Sequence, residues 1–409
     1  MFRYFLIIAI VALPGVYVAG ELIHFVDVLL PLVFLKYFLL KRRRILLKPW
    51  HRNLFLTGYV IFALFSIIMA SVMGESGIIT ALMKWLRLFY ILPVIYIARN
   101  YRIAEGPAEQ GIIKATLLCG IATALLGIIL FILQSPLYQS TQTMRFMGKV
   151  MHRAGGIFKD AGSFSFMLVL IIALGMECLK YSRMLFLSAM AIGVSLVGIV
   201  LSYNRTAFLA ILVLAAEWGF EQKQIHKKEL LLIMGATTGL VIACICSPFV
   251  QSFLADRIMP LFSLAANYNK TTAIALSSGR LTLWTNQLAE FQSSGFFKII
   301  WGCGYKIGLG AISDNNFLSV LFSTGLSGLV CFLIFWIREG KYIISHRKMN
   351  FMSGTAFHFL SVVLVYMIFA DAMTMSRPIY LAILFFAIAE HQNDYHKHNT
   401  CLKLLYGQK

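Results

Sequence analysis

The chain has 409 residues, of which 59% are hydrophobic and 13% are charged, and its formal net charge at pH 7 is +19. A soluble globular domain does not normally carry so few charged residues, so the composition excludes that class and indicates an integral membrane protein. The positive charge does not require a nucleic-acid partner, because lysine and arginine in membrane proteins first serve orientation and contact with anionic membrane lipids.

Apolar runs long enough to cross a bilayer recur along the chain. A helix needs about 17 to 25 apolar residues to cross roughly 30 Å of hydrocarbon, and the hydropathy pattern predicts about twelve such helices. No small-residue cleavage site follows the first run, which predicts a retained helix and not a signal peptide. We expect an all-α polytopic protein with approximate spans 3–19, 21–40, 54–73, 79–98, 111–133, 162–179, 184–202, 205–220, 230–249, 316–337, 352–371 and 377–391.

Lysine and arginine are concentrated in every second loop, and this alternation predicts the orientation of the chain in the membrane. Cytoplasmic loops are rich in lysine and arginine, so we expect both termini in the cytoplasm, together with 41–52, 98–102, 180–183, 221–229 and 338–348. The opposite, outer face then receives the segments 73–77, 134–161, 202–205, 249–315 and 371–378.

The sequence lacks the motifs of several enzyme classes. It contains no Walker A pattern, no glycine-rich dinucleotide fingerprint, no HExxH and no GxSxG, so neither an ATPase nor a triad hydrolase is supported. The seven cysteines show no paired spacing typical of a zinc site or a disulfide framework. We therefore expect no metal and no cofactor.

Arginines occur in the predicted outer segments, although the positive-inside rule disfavours them there. Arg145 and Arg153 fall in QTMRFMGKVMHRAGGIFKDAGSFSF, which leads into the sixth predicted helix. Arg205 follows in LSYNRTAFLAIL, where no acidic residue is close in sequence. A charge at membrane depth is costly, so Arg205 is either a snorkelled interfacial arginine or a ligand for an anion.

The stretch GRLTLWTNQLAEF is predicted to form an amphipathic helix at the membrane surface. Arg280, Trp284 and Gln287 would share one face of it, at positions i, i+4 and i+7. Either the tryptophan and arginine anchor this helix at the interface, or Arg280 binds an anion.

Polar residues also stand directly before the tenth predicted helix. Asp314, Asn315 and Asn316 form this group, and a helix N-cap explains only one of them. Three polar residues together, on the same side as the arginines, favour a binding site.

Two further pairs of charged residues are candidates. Lys84 and Arg87 lie one helical turn apart in an apolar span, where they either line a cavity or snorkel. Asp371 and Arg377 are predicted to pair with each other at the last outer turn.

Arginines without a carboxylate cluster favour a strongly anionic ligand, because the planar guanidinium binds phosphate oxygens in pairs. A lipid-linked pyrophosphate fits, since its tail would lie among the helices and its head beside Arg205 and Arg280. Fixed arginines also stabilise a pyrophosphate leaving group without a metal. An attacking sugar hydroxyl needs a base or a positioned acceptor, and Asp314 is the best-placed carboxylate. Trp284 and Tyr305 would offer apolar faces to sugar rings.

Four segments in order resemble the O-antigen ligase and polymerase superfamily of bacterial polysaccharide assembly: RAGGIFKDAGSFSFML, LSYNRTAFLAIL, GRLTLWTNQLAEF with WGCGYKIG, and SDNNFLSVLFSTGLSGL. The resemblance implies a GT-C type membrane fold and metal-independent transfer of glycans from undecaprenyl pyrophosphate at the periplasmic face. Arg205 and Arg280 would hold the donor pyrophosphate, and Arg153 would correspond to the family's arginine before the sixth helix.

The superfamily divides at the position of Asp314. Ligases usually carry a histidine before the asparagine, whereas Asp314 and Asn315 resemble the Wzy-type polymerases. We therefore expect an O-antigen polymerase of the bacterial inner membrane, with undecaprenyl-pyrophosphate-linked oligosaccharide as substrate and a chain-length regulator as a candidate partner. The alternatives are a ligase that transfers glycan to lipid A core, and a flippase or exporter, which needs a polar path to the cytoplasmic side.

The predicted organisation has three parts: N-terminal helices (1–141), a core that includes the long outer loop 249–315 (142–335), and C-terminal helices with a cytoplasmic tail (336–409). The predicted catalytic residues are Asp314, Arg280 and Arg205. The predicted substrate-binding residues are Arg153, Arg145, Trp284, Asn315, Tyr305, Arg87 and Arg377.

Overall fold

The structure is a computed structural model, and it describes residues 2–18, 21–40, 50–100, 107–133, 144–146, 149–151, 153–158, 160–221, 280–307 and 315–406. These residues form mainly α-helices: α1 (Phe2–Val11), α2 (Phe25–Leu40), α3 (Trp50–Val72), α4 (Ile78–Phe89), α5 (Ile91–Asn100), α6 (Pro107–Ile132), α7 (Ala161–Lys180), α8 (Leu185–Ser202), α9 (Arg205–Glu221), α10 (Arg280–Ser293), α11 (Phe296–Trp301), α12 (Asn316–His346), α13 (Phe351–Phe369) and α14 (Ser376–Tyr406). Two antiparallel hairpins accompany them, β1 (Gly15–Val18) with β2 (Glu21–His24) and β3 (Met144–Phe146) with β4 (Lys149–Met151).

Seven spans within the described residues are long and apolar enough to cross a membrane: Asn53–Val72, Ile78–Arg99, Glu109–Ile132, Ala161–Lys180, Leu185–Ser202, Asn316–His346 and Phe351–Phe369. The second of them comprises α4 and α5, which Tyr90 separates. The chain is thus a polytopic, predominantly α-helical protein. Seven of the predicted spans are confirmed, and the total of about twelve is not reached in the described part of the chain.

The first predicted span is wrong as a single helix. α1 ends at Val11, because Pro14 lacks an amide hydrogen and disfavours the helical conformation in the residue before it. The chain then forms the β1–β2 hairpin, in which Gly15 pairs with His24. The second predicted span is shortened at its start, because its first four residues form β2. α2 therefore begins only at Phe25 and has 16 residues.

Three other predicted spans are not among the seven confirmed ones. The span predicted over 205–220 is a helix of 17 residues, α9. The span predicted over 377–391 is the first half of α14, which continues as a polar helix to Tyr406. The span predicted over 230–249 lies outside the described residues.

Helix α7 is the centre of the bundle, with 83% of its span buried. It packs against α6, α8, α9, α13 and α14. Two glycines on neighbouring helices permit this close packing: a Cβ at Gly120 of α6 would lie 2.7 Å from the Ile171 side chain, and one at Gly198 of α8 would lie 2.6 Å from Leu168. Small residues at such contacts are typical of membrane helix packing, which lacks a hydrophobic driving force between helices.

Contacts between loops define the two ends of the bundle. At one end Arg153 Nε donates to Ser202 O at 2.9 Å, and we call this the predicted outer end, because both segments are predicted to lie outside. At the other, predicted inner end, Arg183 Nη1 lies 2.6 Å from Glu109 Oε1, and Asn350 Nδ2 donates to Asn393 Oδ1 at 2.9 Å. The loops therefore group as the predicted alternation requires, and the direction of the bundle in the membrane stays a prediction.

Three helices meet around buried ionisable side chains near the predicted inner end. His358 of α13 lies 3.0 Å from Glu217 of α9 through Nδ1, and 3.3 Å from Glu177 of α7 through Nε2. Ser361 Oγ donates to the other oxygen of Glu217. The side chains of Glu177 and His358 are 0% and 1% exposed, so this histidine–glutamate network joins α7, α9 and α13 inside the bundle.

Candidate functional site

A break in α12 creates the framework of the site at the predicted outer end. α12 loses helical geometry at Gly325, where φ is 67° and ψ is −168°. The loop after α11 packs directly against this break, and Cys303 N donates to Phe322 O at 2.8 Å. A Cβ at Gly302, whose φ is 88°, would lie only 2.3 Å from Ser323 O. Only glycine permits this approach without strain, and it fixes the loop residues that follow.

One of those residues, Lys306, forms a charged cluster with Asp371 and Ser319. The Lys306 ammonium is paired with Asp371 Oδ2 and donates a hydrogen bond to Ser319 Oγ. Ser319 Oγ in turn donates to Asp371 Oδ2 at 3.0 Å. The side chains of Lys306 and Asp371 are 5% and 15% exposed. We call these three residues the lysine–aspartate cluster, and sequence reasoning missed it because Lys306 and Asp371 are distant in the chain.

The two asparagines of the SDNN motif hold neighbouring backbone in place. Asn315 caps α12 by accepting from Leu318 N at 3.1 Å, and its Nδ2 donates to Ile368 O at 2.7 Å. Asn316 Oδ1 accepts from Met373 N at 3.0 Å. The start of α12 is therefore tied to the end of α13 and to the turn before α14, which carries Asp371. Asp314 itself lies outside the described residues.

Tyr305 lies between the lysine–aspartate cluster and a second ion pair. Its side chain is buried. Burial first, and then the charge of Asp371, raise the pKa of Tyr305, so its hydroxyl stays protonated at neutral pH. In the second pair, Arg87 Nε lies 3.3 Å from Asp27 Oδ2. Arg87 is thus an inward-facing, paired arginine, and no ion pair is described for Lys84 beside it.

Arg377 is buried at the start of α14, with a relative exposure of 1%. Its Nε donates to Ile10 O at 2.6 Å, and its guanidinium carbon lies 4.1 Å from the centre of the Phe158 ring. Its Nη1 and Nη2 atoms have no hydrogen-bond partner in the described part of the chain. The predicted pair between Arg377 and Asp371 is wrong, because Arg377 points toward α1 while Asp371 faces the loop that carries Lys306.

Arg153 and Arg205 both lie at the turn between α8 and α9. Arg153 donates through Nε to Ser202 O at 2.9 Å and through Nη2 to Tyr203 O at 3.4 Å. Tyr203 has a φ of 50°, so the chain reverses here in the left-handed conformation. Arg205, the first residue of α9, is half-buried just beyond this turn. Arg153 thereby fixes the backbone that presents Arg205.

The same turn carries a polar network that sequence reasoning did not find. Asn204 Nδ2 donates to Ser165 Oγ at 2.7 Å, and Ser165 Oγ lies 3.1 Å from the Tyr366 hydroxyl. Asn204 also caps α9 by accepting from Thr206 N at 3.0 Å. At the predicted outer end, α7, α9 and α13 are therefore joined by hydrogen bonds beside Arg153 and Arg205. Only the adjacency of Asn204 and Arg205 could have suggested it.

The predicted helix around Trp284 is confirmed, since α10 covers Arg280–Ser293. Its buried face carries Trp284, Gln287 and Phe291, and the Phe291 ring lies 5.3 Å from the Phe322 ring of α12. Trp284 Nε1 and both amide atoms of Gln287 are buried without a hydrogen-bond partner in the described residues. The helix thus packs on the bundle, with unpaired polar atoms on the packed face.

Two predicted arginines are described only in their backbone. Arg280 begins α10, and Arg145 lies in β3, where it pairs with Val150. Their side chains, like Asp314, lie outside the described part of the structure.

Most of the predicted site residues whose side chains the structure describes therefore lie at one end of the bundle. Phe158, which lies under Arg377, follows Arg153 by one short turn, and the Met375 side chain lies 2.9 Å from where a Cβ of Gly162 would stand. The described residues contain no group of three or more histidine, cysteine or acidic side chains that could hold a metal ion.

Neither the models of known protein families nor the curated proteins include a match to this sequence.

Proposed function

We propose that this protein is a polysaccharide polymerase of the Wzy type, with a GT-C type architecture, that acts at the periplasmic face of the bacterial inner membrane. One observation carries the proposal: cationic side chains gather with a carboxylate at one end of a membrane-spanning bundle. Charges at membrane depth need partners, and two nitrogens of Arg377 have none among the described residues. An undecaprenyl-pyrophosphate-linked oligosaccharide offers one, because it combines an apolar tail with a strongly anionic head.

In the proposed reaction the growing chain is the donor, and Arg205 and Arg280 hold its pyrophosphate. Arg153 keeps the backbone before Arg205 in place. A hydroxyl of the next lipid-linked repeat unit attacks the anomeric carbon of the donor, and the bond between that carbon and the pyrophosphate oxygen breaks. The bonding electrons leave with undecaprenyl pyrophosphate, whose added charge the arginines stabilise. The hydroxyl proton passes to a carboxylate or to water.

An exporter of lipid-linked sugars is the second candidate, and one observation favours it. The histidine–glutamate network places buried ionisable side chains near the predicted inner end, and such residues are typical of transport pathways. A polymerase that works only at the outer face has no evident use for them except packing.

The decisive experiment is a gel of lipopolysaccharide from a deletion strain complemented with variants. We expect the deletion to leave the core with a single repeat unit, and wild type to restore the ladder. Arg205→Ala and Arg280→Ala should each reduce the ladder by at least about 100-fold at normal protein levels, because a lost charge contact in a transition state costs roughly 3 kcal/mol or more. Arg338→Ala, an exposed arginine near the predicted inner end, is the matched control and should retain the ladder.

The other outcomes separate the alternatives. Bare core together with accumulated long lipid-linked polymer identifies a ligase. Single repeat units stranded on the cytoplasmic side identify an exporter. An unchanged ladder in the deletion strain contradicts a role in this pathway.

A further inference from the structure

The buried or half-buried carboxylates Asp27, Asp160 and Asp371 differ in what their oxygens contact. Asp160 uses both oxygens to cap α7, accepting from Gly162 N at 3.2 Å and from Ser163 N at 2.7 Å. Asp27 is paired with Arg87, and its Oδ1 is enclosed inside the bundle. Asp160 is therefore committed to the fold through both oxygens. The Oδ1 atom of Asp27 has no hydrogen-bond partner among the described residues but is fully buried, so a substrate hydroxyl cannot reach it.

Asp371 differs from both, because within the described part of the chain one of its oxygens is unengaged and that oxygen is not fully buried. Oδ2 receives both the Lys306 ammonium and the Ser319 hydroxyl, whereas no hydrogen bond to Oδ1 is present among the described residues. Oδ1 is also not among the fully buried, unpaired atoms of the described residues. Since two contacts hold Oδ2, the direction of Oδ1 is fixed, and it remains open to accept a hydrogen bond.

The surroundings of Asp371 place it within the predicted site. Met373, two residues later, is bound by Asn316, and Asn315 is bound to the end of α13 just before Asp371. The residue predicted as the carboxylate of the reaction, Asp314, directly precedes Asn315 in sequence. The SDNN motif therefore contributes to the site through the backbone that Asn315 and Asn316 hold.

We infer that Asp371 is the catalytic carboxylate that accepts the proton of the attacking sugar hydroxyl, with Lys306 and Ser319 as positioning residues. This inference rests on the proposed glycosyl transfer. The hydroxyl hydrogen-bonds to Asp371 Oδ1; as its oxygen bonds to the anomeric carbon, the O–H bond breaks and the proton moves to Oδ1. The pyrophosphate leaves with the electron pair of the broken bond, so charge and atoms balance. Lys306 and Ser319 hold Oδ2 in place.

If the ion pair has a purely structural role, its variants should behave differently from those of a proton acceptor, so variants can distinguish the two roles. Removing one partner of a buried pair leaves an uncompensated charge, so Asp371→Asn alone also weakens the fold. The double variant Lys306→Gln with Asp371→Asn replaces the ion pair by a neutral amide pair of similar size. If the pair serves only packing, this double variant restores activity; if Asp371 accepts the proton, activity stays lost.

The test uses the purified full chain in lipid nanodiscs, with lipid-linked repeat units extracted from the deletion strain as substrate and undecaprenyl pyrophosphate as binding probe. We expect the double variant to keep the wild-type melting temperature and to bind the probe within about twofold, while kcat falls at least about 100-fold, as for loss of a general base. Ser319→Ala should lower kcat by about threefold to tenfold with an unchanged KM, because it only loosens the position of the carboxylate.

Each outcome decides between the catalytic assignment and the proposed function. If wild type elongates the substrate and the double variant does so within tenfold of it, the assignment of Asp371 is overturned and the proposed function stands. If wild type neither elongates the substrate nor binds the probe, the proposed function fails and the assignment fails with it. A double variant that is folded, binds the probe and is inactive supports the assignment.

Discussion

At the residue scale, the arginines of the predicted site have different surroundings. Arg153 and Arg87 are engaged with backbone carbonyls and a carboxylate, respectively. Arg377 keeps two nitrogens inside the bundle, over an aromatic ring, that are unpaired among the described residues. Burying a cation without a full set of partners costs free energy. A protein retains such a residue more readily when a ligand supplies the missing contacts, which favours a binding role for Arg377.

Arg377→Met tests this role. Methionine fills a similar volume without a charge, so the melting temperature in detergent should stay within a few degrees of wild type or rise, because replacing buried charges by apolar groups is often neutral or stabilising. The polymer ladder should nevertheless fall by at least about tenfold, as expected for loss of one charged contact of roughly 1.4 kcal/mol or more. A destabilised variant with a normal ladder per folded molecule would instead make Arg377 a structural residue.

At the element scale, the break in α12 and the loop after α11 depend on each other. Gly325 and Gly302 lie back to back: a Cβ on Gly325 would lie 2.3 Å from Ile300 O, and one on Gly302 would lie 2.3 Å from Ser323 O. The sequence WGCGYKI (301–307) and the sequence FSTGLSG (322–328) therefore form one packed unit. This unit, and not either segment alone, sets the position of Lys306.

Gly302→Ala should destabilise the protein by about 2 to 4 kcal/mol, because it combines the cost of positive φ with a backbone clash. The matched control is Gly295→Ala, since Gly295 has a φ of 86° but no described atom within 4 Å of the place that a Cβ would take. The control should lose only about 1 to 2 kcal/mol, which is the conformational cost alone. Unfolding followed by circular dichroism in detergent measures both, and equal losses would contradict the packed unit.

At the scale of the whole molecule, the two ends of the bundle carry different chemistry. The predicted outer end gathers the lysine–aspartate cluster, Arg377 and the turn before Arg205. Near the predicted inner end the histidine–glutamate network joins three helices inside the bundle. We propose that the first end carries the proposed reaction and that the second stabilises the helix packing.

His358→Ala should therefore destabilise the whole bundle. It leaves Glu177 and Glu217 without their shared partner, and breaking a buried charged network costs about 3 to 5 kcal/mol. His346→Ala is the control, because His346 is half-buried and its Nδ1 bonds to Tyr342 O within its own helix. Thermal unfolding in detergent should show a clear loss for the first variant and a small one for the second. Similar melting temperatures would show that the network is not needed for packing.

Much of the site could be anticipated from residue type and topology, and part of it could not. That Arg153, Arg205 and Asn315 lie at the same end of the bundle follows from hydropathy and the alternation of basic loops, which are local properties of the chain. The ion pair of Lys306 with Asp371 does not follow, because the two residues are 65 positions apart. Their pairing depends on how the loop after α11 and the turn after α13 pack on α12. For the same reason the expected partner of Asp371 was wrong.

Residue order alone was enough to predict a polytopic helical membrane protein, the place of most of its spans and the loops that share a side. Length and hydropathy control these properties, since a backbone in hydrocarbon must satisfy its own hydrogen bonds as helices. Three features became visible only in the folded chain: α1 ends early before a hairpin, Gly302 and Gly325 interlock, and Asp371 faces Lys306. They arise from contacts between segments that are distant in sequence, and a local pattern of residues does not predict the free energies of such contacts.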